Sequence, residues 1–159
     1  TLVTVVGFPL GYQRTEAKLE EIKLALEDGA DEIDIVMNLS AFKNGTKEWV
    51  KIEFARCAKL IHESGKLLKV IIETAYLHAD EIVECCKMCV DSGVDIVKTS
   101  TGMASSGAKV EDVKLMRSVL PEHIEIKASG GIRSKEAAIA MIEAGATRLG
   151  TSSGIVICS

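Results

Sequence analysis

Aromatic residues are scarce in this chain: Trp, Tyr and Phe together make up 4% of it. A core drawn from such a composition is largely aliphatic, as in α/β proteins. Charge of neither sign dominates, and a net charge of −4 leaves no general basic footprint for nucleic acid. No apolar run approaches the roughly 20 residues that span a bilayer, which argues against a membrane helix. No secretory leader is visible, because the sequence opens directly in a strand-like run, Thr1-Leu2-Val3-Thr4-Val5-Val6. So abrupt an opening predicts that an N-terminal part is missing.

Metal-ligand patterns are lacking too. His62, His78 and His123 have no regular spacing and fall in helical or loop segments, so a surface role is expected of them. Trp49 lies near a helix start and is assigned to packing. Of the five cysteines, Cys86 and Cys89 match the C-x-x-C spacing of redox and zinc sites. They lie in a helical pattern and share an apolar stripe with Ile82 and Val90, and no second cysteine pair completes a metal site. They are expected to be buried as small hydrophobes, with Cys57, Cys85 and Cys158 equally free in a reducing cytosol.

What is present is a regular alternation. The 159 residues, 47% of them hydrophobic, suffice for one domain with a substantial core, taken here as residues 1–159. Strand-like runs begin near Leu2, Glu32, Leu67, Val94, Ile124 and Thr147, at the spacing of βα units. A glycine precedes three of them, in Asp28-Gly29-Ala30-Asp31, Asp91-Ser92-Gly93-Val94 and Glu143-Ala144-Gly145-Ala146, as befits a left-handed helix cap. Between the strands, Thr15, Thr46, Asp80 and Ser134 are expected to cap helices. The inward stripes are Leu19, Ile22 and Leu26, then Val50, Phe54, Cys57 and Ile61, then Ile82 to Val90. A fourth helix spans about Val110 to Leu120 before Pro121, and a fifth turns Ala138, Met141 and Ile142 inward. Strict β/α alternation implies a parallel sheet covered by helices, closed as a barrel or left open and doubly wound. No glycine-rich dinucleotide fingerprint follows the first strand, which weakens the open form.

Side chains alternate across a strand, so parity assigns faces. Ile33, Ile35 and Met37, like Leu68, Val70 and Ile72, should meet helices. The other face then carries Glu32 and Asp34, Lys69 and Glu73, Lys98, and Lys127 with Glu125. A parallel sheet is normally apolar on both faces, and unpaired charges in an interior are costly. One account is a layer of ion pairs, Lys69 with Glu73, or Lys127 with Glu125 or Asp34. Catalysis fits the set better, because Lys98 and Lys127 end buried strands and are followed at once by small residues, Thr99-Ser100-Thr101-Gly102 and Ala128-Ser129-Gly130-Gly131. Barrel active sites lie at the C-terminal ends of strands. Lys98 and Lys127 can face each other across one strand spacing of about 4.8 Å. A neighbouring ammonium and desolvation both favour a neutral amine, the form that attacks a carbonyl. Two glycine-bearing loops, Ser129-Gly130-Gly131-Ile132-Arg133-Ser134 and Gly150-Thr151-Ser152-Ser153-Gly154, offer backbone amides to an anion such as phosphate.

Six segments carry a family resemblance: Val5-Val6-Gly7-Phe8-Pro9-Leu10-Gly11, Gly29-Ala30-Asp31-Glu32-Ile33-Asp34, Leu68-Lys69-Val70-Ile71-Ile72-Glu73-Thr74, Val97-Lys98-Thr99-Ser100-Thr101-Gly102, Lys127-Ala128-Ser129-Gly130-Gly131-Ile132-Arg133 and Gly150-Thr151-Ser152-Ser153-Gly154. Together they resemble the deoxyribose-phosphate aldolase family over nearly the whole chain. The resemblance implies a class I aldolase on a TIM (β/α)8 barrel, which cleaves 2-deoxy-D-ribose 5-phosphate reversibly to D-glyceraldehyde 3-phosphate and acetaldehyde without metal or organic cofactor. It implies Lys98 as the Schiff-base lysine, Lys127 as the neighbour that keeps it reactive, Asp34 as proton donor or acceptor, and Lys69 as support for Asp34. Gly102, Gly130, Gly131, Arg133, Ser152 and Ser153 stand where the family holds phosphate. It further implies a cytoplasmic enzyme that can form a homo-oligomer and takes neither nucleic acid nor membrane as partner.

The chain departs from that pattern in length. About six βα units are legible where the family has eight, so an incomplete barrel is expected, with two units missing at the start and a shortened last helix. Unpaired edges and poor stability should follow. Met103 stands where some members carry a lysine. The residues read alone also admit another phosphate-binding barrel enzyme, in which the lysines serve as acids or electrostatic catalysts, or a truncated, non-catalytic protein.

Overall fold

The computed structural model describes residues 1–159 and contains one sheet of six parallel strands in sequential order. The strands are β1 (Val3–Val6), β2 (Glu32–Val36), β3 (Leu67–Ile71), β4 (Ile96–Lys98), β5 (Glu125–Ser129) and β6 (Arg148–Gly150). Helices α1 (Thr15–Glu27), α3 (Lys47–Glu63), α4 (Ala79–Asp91), α5 (Val110–Val119) and α6 (Lys135–Glu143) connect them, with short helices α2 (Leu39–Lys43) and α7 (Gly154–Cys158) added. The six expected strands are therefore present, each starting within two residues of its sequence signal.

The sheet is curled. Arg148 on β6 reaches Glu32 on β2, Nη1 to Oε1 at 2.8 Å. These strands are four positions apart in the order β1-β2-β3-β4-β5-β6. In a flat sheet at about 4.8 Å per step the backbones would stand roughly 19 Å apart, beyond the combined reach of the two side chains. Only a sheet bent about its concave face brings them together. The result is an incomplete TIM barrel, open at β1 and β6, which each have one strand neighbour.

The convex face holds the core. Ile33, Ile35, Leu68, Val70, Ile72, Val97 and Ile126 pack against Ile22, Val50, Phe54, Ile61, Ile82, Val113 and Met116, all buried in one aliphatic cluster. Four of the five cysteines are buried in it and all five are free. Burial pushes the Cys57 and Cys86 thiols up to about 12, so they behave as apolar filler rather than nucleophiles. The recurring glycines end helices as anticipated: Gly29, Gly93 and Gly145 have φ of 93°, 74° and 111°.

Several local expectations are corrected. Thr15 is the first residue of α1, not its cap, and its hydroxyl donates to Glu53 Oε2 at 2.8 Å. Thr46 occupies the N-cap of α3, but its hydroxyl donates to the Ala41 carbonyl at 2.8 Å instead of accepting from the helix. The cap of α4 is His78 in place of Asp80, and its N–H donates to Glu81 Oε2 at 2.8 Å. Ser134 caps α6 as expected, accepting from the Ala137 N–H at 3.2 Å. On α6, Ala138 and Met141 point inward, but Ile142 is 56% exposed. His62 is engaged, with Nε2 2.8 Å from Asp95 Oδ2.

A buried ion pair lies outside the sequence expectations altogether. Lys18 on α1 and Glu53 on α3 are both fully buried, with Nζ 2.6 Å from Oε1. Lys18 also donates to the Val36 carbonyl at 2.8 Å. The pair pins two helices to the C-terminal end of β2, directly behind the strand that carries Asp34.

Candidate active site

Register places the charged residues. Val36, Ile71, Lys98, Lys127 and Arg148 follow one another across β2 to β6 as register partners. Asp34, Lys69, Ile96 and Glu125 form the row beneath. Since side chains two apart share a face, both rows project into the concavity.

Asp34 is the hub. Its Oδ2 accepts from Lys98 Nζ at 2.8 Å and from Lys127 Nζ at 3.0 Å. Its Oδ1 lies 2.8 Å from Lys69 Nζ, which also stands 2.5 Å from Glu32 Oε2. The Lys69 contacts are ionic, without hydrogen-bonding angles. The expected alternative partners of Lys69 and Lys127, Glu73 and Glu125, are not used. Asp34 and Lys69 are 1% exposed, while the Lys98 and Lys127 side chains are 10% and 15% exposed and open toward the rim.

Electrostatics follow from this packing. Burial opposes ionisation of Asp34, but the Lys98 and Lys69 ammoniums outweigh it and hold its carboxyl below the ordinary aspartate value. Burial also draws Lys127 below the ordinary lysine value, helped by the Lys98 and Lys69 charges and opposed by Asp34. An amine that sheds its proton more readily than an ordinary lysine therefore stands beside Lys98.

Glu73 departs from the parity reading. Beta3 ends at Ile71, and Glu73 adopts a left-handed backbone, φ 52°. Its carboxylate is turned away from the lysines to the next loop, accepting from the Thr101 N–H at 3.2 Å and from the Thr101 hydroxyl. That clamp holds the loop after β4 over the rim.

The loops after β4, β5 and β6 then enclose a cleft of about 350 Å³. Lys98 and Lys127 form its floor; Gly102, Gly130, Gly131, Arg133 and Ser152 line it, together with Thr101, Ser129, Gly150 and Thr151. Ile132 is its one hydrophobic residue. Backbone meets backbone here: a Cβ on Gly107 would lie 2.1 Å from the Gly130 carbonyl oxygen. Ser129 Oγ donates to the Ser100 carbonyl at 2.6 Å, and Thr151 Oγ1 to that of Ile132 at 2.6 Å, tying the three loops together. Gly130 and Gly131 are consecutive left-handed residues, φ 84° and 77°, a backbone turn that leaves peptide groups uncovered. Ser153 is set back from the lining, donating its N–H to Thr151 Oγ1 at 2.9 Å. Thr101, Ser129 and Thr151 were not singled out by sequence; their signal was membership of the same small-residue loops. No group of three or more His, Cys, Asp and Glu side chains is placed to hold a metal ion.

Amines, a shared carboxylate and a polar cleft are the equipment for carbonyl chemistry on an anionic substrate. A family model described as DeoC/LacD family aldolase matches residues 4–159. The chain belongs to this aldolase family. The matched span takes in Asp34, Lys69, Lys98, Lys127 and the whole lining of the cleft.

Deoxyribose-phosphate aldolase from Thermococcus kodakarensis is 53% identical over 98% of this chain and 70% of its own length. The enzyme of that name from Thermococcus gammatolerans is 51% identical over 98% and 69%. Among solved structures, the aldolase QR15 superposes with a TM-score of 0.93 at 47% identity, over 98% of this chain and 69% of its own. A tetrameric deoxyribose phosphate aldolase from Aeropyrum pernix gives 0.91 at 38% identity, over 99% and 66%. The chain thus spans about two thirds to 70% of these family members.

Proposed function

We propose that this chain is a deoxyribose-phosphate aldolase acting through a Schiff base on Lys98, with residues 1–159 forming one aldolase domain. The carrying observation is the Lys98 amine at the cleft floor, sharing the Asp34 Oδ2 carboxylate oxygen with Lys127. The names of the relatives support the substrate, 2-deoxy-D-ribose 5-phosphate.

In this mechanism the neutral Lys98 amine attacks the C1 aldehyde of the open-chain sugar phosphate. Loss of water from the carbinolamine leaves a protonated imine. A base then takes the proton of the C3 hydroxyl, the C2–C3 bond breaks, and its electron pair flows to the iminium nitrogen. Glyceraldehyde 3-phosphate departs and an enamine remains. Protonation at C2 and hydrolysis release acetaldehyde and restore the amine. Asp34 and Lys127 move the protons, through water where needed, and Lys69 holds Asp34 ionised. Gly102, Gly130, Gly131, Arg133, Ser152 and Ser153 are assigned to the phosphate, Ser153 through the backbone it fixes. The free cysteines support a cytoplasmic setting, and the tetrameric relative supports self-association.

Borohydride reduction in the presence of acetaldehyde tests the reading. An ethyl group fixed to Lys98, located by peptide mass spectrometry, is the expected product; an unmodified Lys98 in folded protein would refute it. The phosphate assignment is tested separately by Gly131→Asp. Gly131 lines the cleft, a Cβ there meets nothing within 4 Å, and Asp is among the side chains that best tolerate left-handed backbone, so a carboxylate is added at the cleft wall without a clash, at the cost of some backbone strain. KM for the sugar phosphate should rise about tenfold or more, a like-charge penalty of about 1.4 kcal/mol, while acetaldehyde still forms its adduct. An unchanged KM would place the phosphate elsewhere.

A further inference from the structure

The ion cluster continues below Asp34 into a part of the concavity with no assigned role. From Asp34 Oδ1 the contacts pass to Lys69 Nζ at 2.8 Å, to Glu32 Oε2 at 2.5 Å, and from Glu32 Oε1 to Arg148 Nη1 at 2.8 Å. Arg148 Nε closes the string on Glu125. We propose that Glu32 and Arg148 are positioning residues for the reaction, setting with opposite sign how readily the lysines at the cleft floor release a proton. The proposal deepens the Schiff-base reading and takes its catalytic meaning from it.

Beta1, with the sequence Val-Thr-Val-Val, contributes no charge to the concavity. Beta2 contributes Glu32 and Asp34, β3 Lys69, β4 Lys98, β5 Glu125 and Lys127, and β6 Arg148. Glu73, beyond the end of β3, is engaged with Thr101. Arg133 lines the cleft from the loop after β5 but is exposed and makes no ion pair, so solvent screens it. The strand-borne cluster itself sets four cations against three carboxylates, one positive charge in excess. Around Asp34 and Lys69, where the cluster is poorly solvated, such an excess is relieved by releasing a proton from one ammonium, and coupled groups titrate together. The depressed Lys127 is consistent with this. Arg148 cannot be the group that yields, because its guanidinium stays charged at any working pH. It is a fixed positive charge, the strand neighbour of Lys127 in register, and Glu32 is the carboxylate that offsets it.

A plain brace and a charge-setting pair differ in sign. If the pair only ties β2 to β6, removing either end breaks the same contact and both variants should respond alike. If it sets the charge excess, Glu32→Gln enlarges the excess and Arg148→Met abolishes it. Lysine side-chain 13C shifts followed against pH in the labelled chain read the protons directly, whether or not an adduct forms on Lys98. The midpoint for the cluster should fall by roughly one pH unit in Glu32→Gln and rise in Arg148→Met, by less because Arg148 is a third exposed and partly screened. Glu125→Gln should move with Glu32→Gln. If Glu32→Gln does not fold, the opposite movements of Glu125→Gln and Arg148→Met, at partly exposed sites, decide the matter. Shifts in one direction for both kinds of variant, or no shift in either, would overturn the proposal. Where adducts form, the acidic limb of the trapping rate on Lys98 should follow the same signs. An absent adduct with opposed shifts would sink the Schiff-base reading and leave the charge coupling standing.

Discussion

Lys98→Ala is expected to abolish the borohydride-trapped adduct and to lower cleavage of 2-deoxyribose 5-phosphate by about 10⁴-fold or more, as removal of a nucleophile does elsewhere. In the proposed mechanism the remaining groups do not substitute. Lys127 sits on the adjacent strand with Nζ 3.0 Å from the same Asp34 oxygen, placed to exchange protons with a neighbour rather than to bond to its substrate. Without the iminium no electron sink receives the pair from the broken C–C bond, and Asp34 acting alone offers only proton transfer.

The same substitution separates chemistry from folding. Most truncations inside an ion cluster strand an opposite charge, but Lys98 belongs to the cation excess. Its loss leaves Asp34 still in contact with Lys69 and Lys127. The thermal midpoint of Lys98→Ala should therefore lie close to that of the unsubstituted chain or above it. Normal melting with no adduct supports the assignment. A persistent adduct that maps to Lys127 would transfer the nucleophilic role to that residue.

The charged face was legible because strands have a strict period of two. Parity alone put Asp34, Lys69, Lys98 and Lys127 on one side, and the register places them there in neighbouring rows. What parity cannot supply is curvature. Glu32 and Arg148 lie 116 residues and four strands apart, and nothing in their local sequence signals that the sheet bends enough to join them. Glu73 was misread for a related reason: the period ends with the strand, and one left-handed residue redirects the carboxylate. Lys18 was hidden by its surroundings. In Glu16 to Lys23 it reads as one more solvated charge, yet Thr15, Lys18 and Ile22 lie on one helical face, and that face is the buried one. Hydroxyl caps failed at Thr15 and Thr46 because another acceptor took the side chain, distant Glu53 for Thr15 and the Ala41 carbonyl of the preceding turn for Thr46.

Asp34→Asn should be the most destabilising single change at the site, by about 3–5 kcal/mol near neutral pH, the cost of removing one partner from buried charges. The shape is conserved, but three ammoniums within 3.0 Å lose their common counter-charge. The pH dependence identifies the cause. Asp34 has a folded pKa held below its unfolded value of 3.8, so its stabilisation is fully present above that value and fades as pH falls through the lower folded pKa. At neutral pH the variant therefore forfeits all of it. Lys127 works in the other direction. Its folded pKa lies below the unfolded 10.5, so between the two the unfolded chain binds more protons and stability rises with pH. Without Asp34 only Glu32, on Lys69, still opposes the repulsion among the lysines, so the folded Lys127 value drops further and this window widens. The deficit of Asp34→Asn measured by urea unfolding should thus be largest near pH 7 and shrink toward about pH 10, as Lys127 becomes neutral. A deficit of the same size at both pH values would mean that Asp34 holds the strands by hydrogen bonding alone and not by charge.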